Sequence, residues 1–581
     1  MFRKKGASRL TAAFLTAALL AQTIFVIPAF ASAKSNQYDR KLQLVTEKLY
    51  EDKETVDAVK ALDKAVAIIS VSDGKSRAKS FSATTGSLSA SLEKASEKAK
   101  ASGITPKWLK LEVVTAVEQK KYSDFTAEVM GKRGGSFRRG IAFNDYFGRV
   151  ITEGELNANG LIDYETGKLK LTEVNSFLKF LGKKQLDKIP STLYIFDTSS
   201  YFTENTAYAE KLINEKYNST GRRGVNVNRD YLENLAGKTS DYLAGICDKN
   251  GKFVYGYYPI DNEEIEGYNM LRHAGTTWNL ILQYEMTGNE ELLPVIERAL
   301  TYLSKFIQYK NDSTAFVISE NCLNVGGNGL ALLAYCSYAE IVGSDKYNKV
   351  IEALANGVIF MQKENGGYVH AISKSTYKVL KDYIIVYYDG EAMYGVLKAY
   401  GVTGKKKYLD CARKAGDYFI ANNYETLNSH WISYGFNELT KYLPEEKYFE
   451  FGLKNLSENN YTTKIYNTVT AVHTANETLG AGFELYDRLV SGGYECDYLE
   501  QFDEEALFKA IRRRVYYGQN YFMFPEYAMY FENPQTVLNS FAVREDNFRI
   551  RIDDIQHFMG GYYLYWKNYD RISGYNEKKD S

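Results

Sequence analysis

The sequence predicts a mainly α protein, in which six helical hairpins form a C-terminal ring and a smaller α/β domain precedes them. The first observation is that apolar residues recur with helical spacing from about Val225 onward, over twelve successive segments. The second is a turn in which glycine stands where a helix ends in a left-handed residue, as in Thr287-Gly288-Asn289, Gly343-Ser344-Asp345 and Thr403-Gly404-Lys405. A repeat of about 40–60 residues that buries its apolar stripe against its neighbours indicates a solenoid or a closed ring. Six pairs favour the ring, over residues 225–569.

Residues 34–217 have a different pattern, which predicts an α/β accessory domain. Two helical stretches, Leu42–Lys60 and Leu88–Ala101, alternate with β-branched runs at Ala65–Val71, Leu109–Gln119 and Ser191–Phe196. This region contains no histidine. We therefore expect it to cover or extend one rim of the ring without doing chemistry itself. Residues 570–581 are predicted to be a polar tail.

The first 33 residues predict a secretory signal peptide. Four cations precede an apolar run from Leu10 to Ile27, and two A-x-A sites follow it, at Ala29–Ala31 and Ala31–Ala33. A retained membrane anchor is the alternative, because the run borders on spanning length. We expect an extracellular protein, with loose association with the cell wall as a further option.

Composition favours a neutral, hydroxyl-bearing partner. Lys+Arg and Asp+Glu are both 72, which leaves no basic excess for binding nucleic acid, whereas 49 Tyr and 30 Phe supply rings that stack on sugars. The expected partner is a poly- or oligosaccharide. The five cysteines are odd in number and include no C-x-x-C pair, and no zinc-ligand spacing is present. The sequence therefore predicts neither a metal site nor a cofactor.

The hairpins resemble a known architecture. Segments such as YEMTGNEELLPVIERALTYLSKF and YYDGEAMYGVLKAYGVTGKKKYLDCA are similar to those of the (α/α)6 toroid. That toroid is shared by six-hairpin glycosidases, unsaturated glucuronyl hydrolases, uronyl C5-epimerases and N-acylglucosamine 2-epimerases. The resemblance covers about 60% of the chain (Val225–Tyr569) and implies a carbohydrate-active protein whose even-numbered helices line the ring. It carries over no catalytic residue.

Polar and aromatic residues concentrate where these even-numbered helices begin, so their openings predict a site at one mouth of the ring. Four of the five histidines and two of the four tryptophans lie there. The predicted catalytic residues are Asp389, Asp553, His273 and His473, and the predicted substrate-binding residues are Arg272, Tyr268, Trp278, Trp431, Glu477 and His557. Each also has a structural interpretation: Asp389 and Asp553 could cap helices, and His273 could be a core histidine.

The predicted site residues are suited to two kinds of sugar chemistry. Glycoside hydrolysis needs one protonated and one ionised carboxyl group, for which Asp389 and Asp553 are the first candidates. Epimerisation or β-elimination on a uronic acid needs a base such as histidine and a cation over the sugar carboxylate, which Arg272 could supply. A secreted glycoside hydrolase is the preferred hypothesis. A polysaccharide lyase or sugar epimerase, and a non-catalytic glycan-binding or exopolysaccharide-assembly protein, remain as alternatives.

Overall fold

A computed structural model describes residues 33–213, 221–381, 385–427, 429–458 and 472–580. The predicted signal peptide lies almost entirely outside these residues. Within the described ranges, no helix combines the length and the apolar character needed to cross a membrane.

The N-terminal region is built around an antiparallel sheet. The described strands of this region are β1 (Ala65–Ser72), β2 (Lys79–Thr85), β3 (Trp108–Lys121), β4 (Gly140–Ala142), β5 (Val150–Ile151), β6 (Ile162–Asp163), β7 (Lys168–Leu169), β8 (Thr192–Thr203) and β9 (Glu210–Lys211). The strands of the sheet follow the order β2-β1-β3-β8-β4-β5, with β9 paired to β8. Helices Ala33–Glu51 and Leu88–Ala101 contribute Val45 and Ala95 to a core that includes Ile69 of the sheet. The remaining helices here are Lys53–Lys60, Tyr122–Val129, Glu153–Ala158 and Leu171–Phe180.

Within the described residues, twelve longer helices follow and pair as six hairpins. They are α1 (Arg229–Gly245), α2 (Met270–Thr287), α3 (Leu293–Ser304), α4 (Val325–Val342), α5 (Asn348–Phe360), α6 (Val386–Thr403), α7 (Lys406–Ala421), α8 (His430–Tyr442), α9 (Glu446–Glu458), α10 (Val472–Gly492), α11 (Glu504–Gly518) and α12 (Ile552–Lys567). Short strands lie in the connections: β10 (Gly256–Tyr258), β11 (Glu263–Glu264), β12 (Ile307–Asn311), β13 (Thr314–Ser319), β14 (Cys322–Asn324), β15 (Ala371–Ser373), β16 (Val379–Lys381) and β17 (Ile550–Arg551).

The even-numbered helices form a closed inner ring. Each packs against the next, and α12 packs against α2. Two hydrogen bonds join these first and last inner helices: Asn279 Nδ2 donates to Gln556 O at 3.1 Å, and Tyr563 Oη donates to Glu285 Oε2 at 2.7 Å. The odd-numbered helices lie outside. The predicted closed ring of six hairpins is therefore the observed architecture.

Glycine has two roles in this ring. Gly288, Gly343 and Gly404 end α2, α4 and α6 in the left-handed region, as the sequence predicted. Gly329 and Gly395 instead let α4 and α6 approach closely, because a Cβ added at Gly329 would lie 2.4 Å from the carbonyl oxygen of Glu391.

We expect Gly329→Ala to destabilise the protein by about 1–3 kcal/mol, because the added methyl group forces the two inner helices apart. Gly237→Ala is the matched control in a helix. A Cβ there meets nothing within 4 Å, so that change should stabilise by roughly 0.5–1 kcal/mol through helix propensity. Urea unfolding of both variants measures the difference. Equal effects would show that the approach of α4 to α6 is not tight.

The segment between α11 and α12 joins the ring to the N-terminal region. Tyr530 Oη donates to Glu112 Oε2 at 3.2 Å and forms a second hydrogen bond with Ser70 Oγ at 3.1 Å, and both partners lie on the sheet. The C-terminal segment, expected as a polar tail, is a helix (Tyr569–Asp580). Two residues of this otherwise polar helix pack against the rest of the protein: Ile572 is buried, and the Tyr575 ring stacks on Phe508 at 3.6 Å.

Candidate active site

The N-terminal ends of the inner helices meet at one mouth of the ring, where α8, α10 and α12 bring together a buried carboxyl group and two imidazoles. Glu477 Oε2 lies 2.8 Å from His557 Nδ1 and 3.7 Å from His430 Nε2. Glu477 Oε1 accepts a hydrogen bond from Tyr434 at 3.2 Å. His473 stands beside this group, with its ring centroid 5.6 Å from that of His557.

Burial decides the protonation states of this group. It lowers the pKa of His473 and of His557 to about 4, and it lowers the pKa of His430 well below its usual value. Burial also raises the pKa of Glu477 well above the usual value for a carboxyl group. The three imidazoles are therefore neutral at pH 7, and burial favours the protonated form of Glu477.

A second group combines arginines with the two aspartates that open α12. Arg551 binds Asp554 through Nε at 3.0 Å and Nη2 at 2.8 Å. Asp553 Oδ2 lies 3.4 Å from both Arg551 Nη2 and Arg272 Nη1, the latter on α2. Two guanidinium groups thus lie within salt-bridge distance of Asp553.

Glu391 faces the same mouth from the first turns of α6. Its Oε2 packs against Gly326 of α4, where a Cβ would lie 2.2 Å away. Burial raises the pKa of Glu391 to about 8, and the positive charge of Arg272 opposes this shift only in part. Arg272 therefore interacts with two carboxyl groups: Glu391, which is protonated at pH 7, and Asp553, with which it forms a salt bridge.

Several buried polar atoms of the mouth lack a hydrogen-bond partner among the described residues. They are Glu391 Oε2, His430 Nε2 and Asp553 Oδ1, which come from three different helices. Because native proteins satisfy nearly all buried polar groups, unpaired donors and acceptors that cluster in one place indicate a place for water or a polar ligand.

Aromatic rings pack in the ring interior next to these groups. The Trp431 ring lies 4.7 Å from that of His430 and 5.8 Å from that of Trp278. Tyr394 and Tyr434 stack at 5.1 Å below them. Both tryptophans are buried, so they line the interior of the ring rather than its rim.

No protein-family model and no curated protein matches the sequence. Among solved structures, a D-mannose isomerase matches with a TM-score of 0.44 and 15% identity, over 59% of this chain and 98% of that one. An unsaturated glucuronyl hydrolase specific for heparin matches with a TM-score of 0.43 and 12% identity, over 59% and 99%. The GH76A α-1,6-mannanase from Salegentibacter sp. HEL1_6 matches with a TM-score of 0.40 and 13% identity, over 57% and 98%.

Two of the predicted site residues lie in the wall between inner and outer helices instead. His273 is fully buried, and its ring nitrogens pair with Tyr268 Oη and with Ala299 O, the latter at 2.8 Å from Nε2. The Tyr268 ring packs edge-on against Tyr302 at 6.4 Å. These contacts favour the structural interpretation of His273 as a core histidine with satisfied hydrogen bonds, and the catalytic role assigned to it from the sequence stays a prediction.

Asp389 has a similar position. His370 Nε2 donates to its Oδ1 and Tyr424 Oη donates to its Oδ2, each at 3.2 Å. His370 and Tyr424 follow the outer helices α5 and α7, so this carboxylate is engaged on the outer side of α6. These contacts favour a structural role, and the catalytic role assigned to Asp389 from the sequence stays a prediction.

Arg272, His473, Glu477, Asp553 and His557 do come together at the mouth. Two further members were not among the predicted site residues: Glu391 and His430. Both stand directly beside predicted ones, Glu391 two residues after Asp389 and His430 next to Trp431. They could have been found by asking which face of its helix each residue occupies, because residues two apart on a helix point in nearly opposite directions.

We expect the raised pKa of Glu391 to make the protein less stable as pH rises. Between the unfolded pKa near 4.5 and the folded pKa of about 8, only the folded state keeps the proton, so the free energy of unfolding falls with pH. This group should account for a loss of roughly 3 kcal/mol between pH 5 and pH 7.5. Glu391→Gln removes the dependence, and urea unfolding at both pH values checks it. Parallel pH profiles of the two proteins would contradict the raised pKa.

Proposed function

We propose that this protein is a glycoside hydrolase that acts on an extracellular poly- or oligosaccharide, with Glu391 as general acid and Asp553 as the ionised partner. The observation that carries the proposal is that two carboxyl groups near Arg272, each with an unpaired oxygen, have different environments: burial keeps Glu391 protonated, whereas Asp553 forms salt bridges with Arg272 and Arg551. Hydrolysis of a glycosidic bond needs one carboxyl group that donates a proton and one that is already an anion.

Each group has a defined step. The Glu391 carboxyl gives its proton to the glycosidic oxygen as the bond to the anomeric carbon breaks. The Asp553 carboxylate stabilises the positive charge that develops on the sugar and activates water or attacks the anomeric carbon. Arg272 forms a salt bridge with Asp553, and its own side chain is 39% exposed, so it can also bind a sugar oxygen.

Sugar binding in the mouth is supported by the same unpaired atoms. A sugar ring presents hydroxyl groups that donate and accept hydrogen bonds, which matches the unpaired carboxyl oxygens of Glu391 and Asp553. Secretion through the N-terminal signal sequence belongs to the proposal, because the target of such an enzyme is an extracellular or cell-wall polysaccharide.

The test is incubation of the purified protein with a panel of oligo- and polysaccharides, with product analysis by mass spectrometry. Hydrolysis adds one water molecule and creates a reducing end. A product with a ring double bond would identify a lyase, and an unchanged mass with altered stereochemistry would identify an epimerase. Binding without turnover would identify the non-catalytic alternative. Each of these three results would overturn the hydrolase proposal.

A further inference from the structure

Three side chains of the mouth have no part in the proposed hydrolysis. They are His430 of α8, Glu477 of α10 and His557 of α12, and one ligand atom from each lies within 4.8 Å of the other two. All three residues are buried. Because three different inner helices hold them, the packing of the ring fixes their positions.

One nitrogen of this group lacks a partner. His430 Nε2 is buried without a hydrogen bond among the described residues, although Glu477 Oε2 is only 3.7 Å away. That separation is too long for a hydrogen bond. A cation that displaces the proton of Glu477 would bind its carboxylate oxygen and both imidazole nitrogens, and would give His430 Nε2 the partner that it lacks.

We propose that His430, Glu477 and His557 bind a divalent transition-metal ion of the Zn²⁺ class. Two imidazoles and one carboxylate form a donor set that such ions prefer over Mg²⁺ or Ca²⁺. A tetrahedral Zn²⁺ at about 2.0–2.1 Å from each ligand places the ligand atoms roughly 3.3 Å apart, between the 2.8 and 3.7 Å found here. Three protein ligands leave one position for water or a sugar hydroxyl group.

A neighbouring contact supports the carboxylate. Tyr434 donates a hydrogen bond to Glu477 Oε1, the oxygen that faces away from the two imidazoles. Partners of this kind orient metal ligands and tune their affinity. This site could not be recognised from sequence spacing, because its ligands are 47 and 80 residues apart along the chain and do not follow the short spacings of zinc motifs.

The experiment is a calorimetric titration of Zn²⁺ into the purified full chain, prepared with a histidine-free tag and stripped with a chelator. We expect one ion per chain. His430→Gln, Glu477→Gln and His557→Gln should each weaken binding by at least about 100-fold, and Tyr434→Phe by about 10- to 100-fold. Tyr434→Phe retains all three ligands and tests the site if a ligand variant does not fold, as judged by circular dichroism.

His473→Gln is the matched control, since it removes a histidine of the same mouth that is outside the ligand group. It should bind Zn²⁺ like the unchanged protein. Substitution with Co²⁺ adds a visible absorption spectrum that His430→Gln should abolish. No binding, or binding that all ligand variants and Tyr434→Phe retain, would overturn the metal site. The proposal does not depend on turnover, so either result leaves the hydrolase assignment to its own test.

Discussion

Glu391→Gln is expected to lower kcat/KM by about 10²–10⁴-fold on any glycan that the protein cleaves, because the amide cannot give a proton to the leaving oxygen. The variant should fold normally, since burial disfavours the charge of Glu391 and the amide has the same shape. At pH 7.5 its thermal midpoint should be at least that of the unchanged protein. Steady-state kinetics and thermal unfolding in the same buffer measure both quantities.

The pH profile and the partner residue complete this test. The activity of the unchanged protein should fall as pH rises past about 8, where Glu391 loses its proton. Asp553→Asn should reduce kcat by a similar factor, because the amide carries no negative charge for the transition state. A Glu391→Gln variant with full activity would show that another group is the acid. A loss of stability together with activity would show a structural role for the carboxyl group.

Glu526→Ala is expected to destabilise the protein by about 3–5 kcal/mol, the largest stability effect that we predict. Glu526 is fully buried and binds the guanidinium of Arg223 at 3.0 Å and the backbone N–H of the same residue at 2.8 Å. Arg223 also binds Glu204 of the N-terminal region at 2.7 Å. Removing Glu526 leaves a mostly buried cation without its main partner where the two parts of the chain meet.

Glu532→Ala is the control from the same connecting segment. Glu532 pairs with Arg77 at 3.2 Å, but its side chain is 60% exposed. An exposed pair contributes about 0–1 kcal/mol, so this variant should unfold almost like the unchanged protein. Urea unfolding followed by far-UV circular dichroism compares the two. Similar free energies of unfolding for both variants would mean that the buried pair contributes no more than a surface pair.

The sequence by itself determined the ring. Helical spacing of apolar residues, with glycine at the left-handed ends of α2, α4 and α6, predicted six hairpins, and these signals are local. The clustering of histidine at the openings of even-numbered helices also indicated the end of the ring where the candidate site lies, since helix starts on one side of a ring share a rim. Five of the ten predicted site residues meet there, whereas Asp389 and His273 come from the same openings and make contacts outside this group.

Only the tertiary structure decided which side chains face the axis. A helix turns about 100° per residue, so Asp389 and Glu391 point to nearly opposite sides of α6, and the sequence does not state which side is inside. Packing decides the orientation. Because Gly326 of α4 has no side chain, Glu391 fits against it, whereas His370 and Tyr424 donate hydrogen bonds to Asp389 on the outer side. The charge state of Glu391 follows from that burial. It is a property of the folded environment and has no counterpart in the sequence pattern.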